Sequence, residues 1–413
     1  MKTPTLFLWM LFTASALVVI PACASDYTLG IFGNANMDDT IDEDDLEYVE
    51  GIIDRTNEET QLADANYDGQ IDEDDLTQIE LTMLGEEKEL TILDGLGRAI
   101  TIEMPLERIV SIAGSYGPET FCALGVQDKL VGVASYAKEN SKQLEEFLQE
   151  IPAVGSSKSP DVEVILNLNP QIVHSYECYY DSQTELEETL NSMSIHLVPL
   201  DFHKPTNFPN AIMTIGYLLN EQNRAQELID FEEYYLGLID ERTEMLEDED
   251  KPTVYLESYL DYRTAGPGSS ENDNALPRCG GINIFDDVTG VVYIDPESVI
   301  RRNPEVVLRL VHDGQVLSGY GVTDVGPINE LREQTINRPG WESIDAVKNN
   351  RVYLISTSSE STHMSVFLMY VAKCLHPELF EDVDPEQIYE EWFHRFLGVD
   401  YLGVYAYPPP SSW

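Results

Sequence analysis

The chain has 413 residues, room for about three domains at ~100 to 200 residues each. Its 75 Asp and Glu against 24 Lys and Arg give a formal charge of -51. So acidic a chain excludes nucleic acid and anionic membrane surfaces as partners, because both need clustered cations to neutralise phosphate.

Residues 1–24 open with Lys2 and continue as an apolar and small-residue run from Leu6 to Ile20 before IPACAS. That is the pattern of an export signal, and its apolar core is shorter than the ~20 residues of a spanning helix. The expected mature protein is exported, to the outer face of the cytoplasmic membrane or the periplasm. Cys23 is a candidate lipidation site and the expected membrane anchor, although Ala22-Cys23-Ala24 also fits plain cleavage. The other cysteines, Cys122, Cys178, Cys279 and Cys374, form no C-x-x-C pair, which argues against zinc fingers, redox motifs and cluster-binding oxidoreductases.

Between Asp26 and Glu89 stand 22 acidic residues against two basic ones. They are organised: NANMDDTIDEDDL from Asn34 returns as DANYDGQIDEDDL from Asp64, 30 residues later. The second copy meets the calcium-loop pattern with Asp64, Asn66, Asp68, Gln70, Asp72 and Asp75 at positions one, three, five, seven, nine and twelve, and Gly69 at the turn. Oxygens on alternate residues converge on a hard cation, so calcium is the expected ion. The first copy offers Asn34, Asn36, Asp38, Thr40, Asp42 and Asp45, but has Asp39 where glycine is preferred, so Asp39 is expected to take the left-handed turn and to weaken binding. An amphipathic helix is predicted after each loop, over 46–53 and 76–84.

A duplicated calcium loop with one helix per copy resembles a dockerin domain, over about residues 27–85. The resemblance implies calcium and a cohesin-like partner. It also implies that Glu43-Asp44 and Glu73-Asp74 help to choose that partner, as two equivalent docking faces. Residues 86–89 read as a linker.

From Leu90 the texture becomes α/β. ELTILDGLGRAITI predicts a hairpin around Asp94-Gly95. Strands are predicted over 108–112, 130–134 and 196–200, with helices over 118–124 and 183–192, so 90–220 reads as one doubly wound lobe. A long helical pattern over 221–246, assigned with its flank to 221–250, predicts a rigid bridge of nearly 40 Å at ~1.5 Å per residue. A second lobe occupies 251–413, ending in helices near 365–375 and 385–397. The expected fold class is therefore α/β: two doubly wound lobes joined by one long helix, behind a small all-α calcium-binding module.

VEVILNLNPQIV from Val162 has an echo in PESVIRRNPEVV from Pro296. Each copy predicts a short helix, then Asn-Pro, then a buried strand, because the residue before proline is disfavoured in helix. Taken in order, DGLGRAITI, ERIVSIAGSYGPETFCALGVQDKLVGV, VEVILNLNPQIV, CGGINIF, PESVIRRNPEVVL and RPGWESIDAVKNNRVYLI resemble the helix-linked substrate-binding proteins of ABC importers for iron-siderophores, haem and cobalamin. The resemblance runs over roughly residues 90–400. It implies a permease with its ATPase as partner, and Glu163 and Glu297 as exposed acids that dock on the permease.

Ligands of two-lobed proteins bind between the lobes, at the carboxyl ends of parallel strands. The loops there offer Ser115, Tyr116, Ser135, Tyr136, Glu177, Tyr179, Tyr180, Asp201 and Phe202 in the first lobe. The second lobe offers Tyr259, Tyr262, Arg263, His312, Asp313, Ser358, Glu360 and His363. The candidate ligand contacts are Tyr116, Tyr136, Tyr179, Tyr180, Tyr259, Tyr262, Arg263 and His363. Tyrosine walls suit a bulky metal chelate, an iron-siderophore first, with corrinoid or haem as alternatives. His174 reads as a core residue inside a strand. No GxSxG, HExxH or phosphate-loop motif is present, so no enzymatic activity is expected. The competing function is a dockerin-mediated surface-assembly protein with a non-transporting body.

Overall fold

A computed structural model describes residues 27–202, 204–273, 275–312, 316, 318–359 and 362–412. The expected export signal with Cys23, and the cleft candidates Asp313 and Glu360, lie outside the described residues. Among the described residues no helix is long and apolar enough to cross a membrane.

The N-terminal module has two helices, Glu43–Ile53 and Glu73–Leu84. Asp42 and Asp72 cap them, each accepting from the backbone N–H two residues on, while Asp45 and Asp75 reach back to close a capping box. Three acids in each first turn favour the positive end of the helix dipole. The expectation for Asp39 is corrected: the left-handed residue in the first loop is Met37 (φ 66°), matched by Tyr67 (φ 56°) in the second, and Asp39 is not at positive φ. Only Gly69 (φ 91°) needs a glycine's freedom at the sixth position.

Residues 86–89 are not a free linker. Glu87 is buried, and Glu89 opens the strand Glu89–Leu93, paired with Ala99–Glu103 in an antiparallel hairpin. The module's first segment bonds directly to that hairpin, through Phe32 N–H to Thr91 O (2.9 Å) and Leu93 N–H to Gly30 O (2.7 Å). Leu29, Ile31, Val49 and Ile79 share one apolar core with Leu90, Ile92, Ile215 and Leu218 of the body. The reason is size: two short helices bury too little apolar surface alone.

Lobe 1 is a four-stranded parallel sheet in the order Leu130–Val133, Ile109–Ser111, Ile172–Ser175, His196–Pro199. The bridging helix is Gln222–Thr243, about 33 Å at 1.5 Å per residue, shorter than expected because the helix ends at Thr243 rather than near Leu246. The preceding helix, Phe208–Leu219, lies close against it: a Cβ on Gly216 would stand 2.7 Å from Ala225 Cβ.

Lobe 2 is a seven-stranded mixed sheet. Thr253–Ser258, Val306–Val311 and Val352–Ser356 form its parallel centre. Arg263–Ala265 and Ala406–Tyr407 extend it antiparallel. Short reversals let the chain add such edge strands without a crossover helix.

The echo is structural. Val162–Leu168 and Pro296–Arg302 are seven-residue helices capped by Asp161 and Asp295. They end at Asn169 (φ 46°, ψ 60°) and Asn303 (φ 45°, ψ 66°), each left-handed and each followed by proline and a buried strand. Asparagine tolerates this conformation, and proline forbids another helical turn. The four described cysteines are free thiols.

Candidate functional site

A cavity of about 450 Å³ lies between the lobes. Lobe 1 contributes Ser115, Tyr116 and Glu119 from the segment after its first strand, Tyr136 and Lys142 from the short helices after Leu130–Val133, Lys158 from a hairpin tip, and Tyr176 and Tyr179 from the turn after Ile172–Ser175. Lobe 2 contributes His312, Tyr320, Ser358, Tyr389 and Tyr405. Seven tyrosines therefore line the space, with Lys142 and Lys158 exposed at its margin.

Of the expected contacts, Tyr116, Tyr136 and Tyr179 line the cavity, as do Ser115, His312 and Ser358. The others do not. Tyr180 is held by Glu187 (2.6 Å) under the Arg98 guanidinium. Tyr262 lies beneath Arg338, which is buried in an ion cluster with Glu257 and Asp261. Arg263 is the first residue of the strand Arg263–Ala265, in register with Tyr293. Tyr259 stands behind the wall, its ring 5.2 Å from His312. Among the described residues no arginine lines the cavity.

His363 lies one layer below the floor, buried, with Nε2 3.2 Å from the Tyr389 hydroxyl and 3.4 Å from Glu119 Oε2. Glu119 is itself buried and accepts from Gln143 Nε2 at 2.8 Å. Beside it, Glu232 of the bridging helix accepts from the backbone N–H (2.8 Å) and hydroxyl (2.9 Å) of Ser365, at the start of the helix Met364–Leu375. Burial pushes the Glu232 carboxyl up to about 7, against the lowering effects of the Ser365 bonds and of His363. Lobe 1, lobe 2 and the bridge thus meet in one buried polar joint under the cavity. His174 is a core residue as expected, bonded to Ser111 and Leu200 and stacked on Phe202; burial lowers its pKa to about 4.

Sequence reasoning missed Glu119, Lys142, Lys158, Tyr176, Tyr320, Tyr389 and Tyr405. Tyr176 directly follows a strand and was within reach of that rule. Lys158, Tyr389 and Tyr405 come from a hairpin tip, a helix and an antiparallel edge, none of them a parallel-strand end.

Glu163 and Glu297 occupy the same place, second residue of matched helices, and both are exposed. They differ in company. Glu297 has Arg301 at 3.7 Å, whereas the Glu163 helix contains no basic residue.

The two acidic loops share a set of backbone bonds. Asp38 N–H reaches Asn34 Oδ1 and Asn36 Oδ1, as Asp68 N–H reaches Asp64 Oδ1 and Asn66 Oδ1. Asn36 and Asp42 bond both oxygens of Asp45, as Asn66 and Asp72 do those of Asp75. Asp45 and Asp75 are fully buried, and among the described residues no lysine or arginine pairs with them. Burial pushes the Asp45 carboxyl up to about 6. The donors are all oxygens, the set a hard cation takes. Among the described residues no group of three or more acidic, histidine or cysteine side chains stands close enough together to hold a metal ion.

Two α/β lobes, one connecting helix and a tyrosine-walled cavity between them define a helix-linked solute receptor. The chain belongs to the periplasmic binding protein family, whose profile matches residues 109–358. It is 24% identical over 302 residues to the uncharacterized ABC transporter substrate-binding lipoprotein YvrC of Bacillus subtilis, covering 71% of this chain and 87% of that one. Among solved structures it is similar to the TroA-like periplasmic binding protein FepB from Veillonella parvula, with a TM-score of 0.69, 24% identity, and 76% and 98% of the two chains covered. It is also similar to the molybdate periplasmic binding protein MolA of Haemophilus influenzae bound to molybdate, with a TM-score of 0.61, 19% identity, and 76% and 99% covered.

Proposed function

We propose that this protein is the extracytoplasmic receptor of an ABC importer, which captures a metal chelate between its lobes and passes it to a permease with its ATPase. The observation that carries this is the cavity: about 450 Å³ walled, among the described residues, by seven tyrosines, with two exposed lysines among its lining. Such a space suits a flat or bulky ligand with anionic groups at one edge, and an iron-siderophore fits it best, ahead of corrinoid or haem. A bare oxyanion such as the one MolA binds would fill only a fraction of it. Glu163 and Glu297 support permease docking because exposed charges at matched places on two lobes set register on a two-fold partner.

Calcium in the acidic loops belongs to the same reading, with Asp64, Asn66, Asp68, Gln70, Asp72 and Asp75 holding one ion and Asn34, Asn36, Asp38, Thr40, Asp42 and Asp45 a second. A cohesin-like partner is supported by the exposure of Glu43, Asp44, Glu73 and Asp74. The decisive experiment is native mass spectrometry of the purified protein against ferric siderophores, haem and corrinoids. Retention of one class supports import, and failure of every chelate to bind sinks it.

A further inference from the structure

The two acidic loops are alike inside and unlike outside. The second faces solvent: Asp68, Gly69 and Gln70 are exposed, and a Cβ on Gly69 would meet nothing within 4 Å. The first is walled in. Its Asn34 is fully buried, with the side-chain amide donating to Leu29 O (2.8 Å) and Asp38 O (2.7 Å). The Ile41 N–H, one residue past the position whose carbonyl faces an ion in such loops, donates to the Tyr217 hydroxyl at 2.9 Å. Thr40 Oγ1 stands 3.4 Å from the same hydroxyl. Tyr217 belongs to the helix Phe208–Leu219, which also holds the module through Asn210 Oδ1 and Gly30 N–H (2.9 Å). That helix lies against the bridging helix at the tight Gly216–Ala225 approach.

We propose that the first loop is a calcium-dependent clasp on the helix Phe208–Leu219, a grip that, among the described residues, the second loop does not make. The inference rests on calcium binding to these loops as proposed above. An ion drawing in Asp38, Asp45 and the Thr40 carbonyl fixes the Thr40–Ile41 backbone, and this backbone grips Tyr217. Free energy of binding at the first loop is thereby shared with the helix Phe208–Leu219, since a ligand that binds only the docked state stabilises everything that docking orders. Among the described residues the second loop makes no such bond to Phe208–Leu219, so its ion does not act on that helix through a tyrosine grip.

The test is amide hydrogen exchange and thermal unfolding of the purified full chain in calcium and in chelator. Calcium should slow exchange in residues 208–219 about tenfold and raise the melting midpoint by about 5 °C. Asp45→Asn should abolish both effects, and Asp75→Asn should leave the slowing at 208–219 intact. Tyr217→Phe should keep the calcium stoichiometry and lose the slowing. Should Tyr217→Phe not fold, the comparison of Asp45→Asn with Asp75→Asn decides alone. Calcium bound at both loops with exchange at 208–219 unmoved overturns the clasp and leaves the calcium reading standing. No calcium bound at either loop overturns both.

Discussion

Glu119 of lobe 1 and His363 of lobe 2 meet beneath the cavity, Oε2 to Nε2 at 3.4 Å, with both side chains almost wholly inaccessible. Glu119 also lines the cavity, so whatever fills the space rests on an acid that the opposite lobe positions. Leaving a buried polar group without its partner costs about 1–3 kcal/mol. Glu119→Gln, which keeps the shape and replaces the carboxyl by an amide, should weaken chelate binding roughly 10- to 100-fold by calorimetry. Unchanged affinity would show that the ligand does not reach the floor.

Glu232 makes a prediction about pH. An acid whose folded pKa is raised weakens folding once the unfolded chain ionises while the folded one does not. Its cost is absent below about 4.5 and complete above about 7, reaching roughly 3 kcal/mol. Stability from this group therefore falls as pH rises through that window. Glu232→Gln should flatten the fall, seen as a shallower slope of melting temperature against pH between 4.5 and 7.5; parallel slopes would contradict the assignment.

Reversing Glu163 and Glu297 together to lysine should leave chelate affinity unchanged and abolish uptake by cells carrying the permease. The single changes should differ. Arg301 already offsets part of the Glu297 charge, so Glu163→Lys should slow association with the permease more than Glu297→Lys does. Equal effects would mean that Arg301 turns away in the complex.

Calcium titration should show two sites, with Asp64→Ala or Asp75→Ala abolishing the tighter one. The tighter site is expected in the second loop because it begins with charged Asp64 where the first has neutral Asn34. Unchanged stoichiometry in both variants would refute this ligand set.

Much of the architecture was legible because it rests on local rules. The echo around Asn169 and Asn303 could be read because proline after a left-handed asparagine ends a helix in any context. The capping boxes at Asp42 and Asp72 and the repeat of the two loops are likewise written in neighbouring residues. The cleft was only half legible. Tyr116 and Tyr179 follow strands and could be placed; Tyr262 and Arg263 follow a strand too, but one sits under Arg338 and the other pairs along the sheet edge.

Residue order alone determined the units: a duplicated oxygen-rich loop, two α/β lobes and a helix between them. Only the tertiary structure decided what those units share. It set Glu119 against His363, brought Tyr389 and Tyr405 to the cavity, and seated the first loop but not the second on Tyr217. Periodicity and turn chemistry act over a few residues, whereas each of these meetings joins residues far apart in the chain. They depend on how apolar faces pack, which no local pattern encodes.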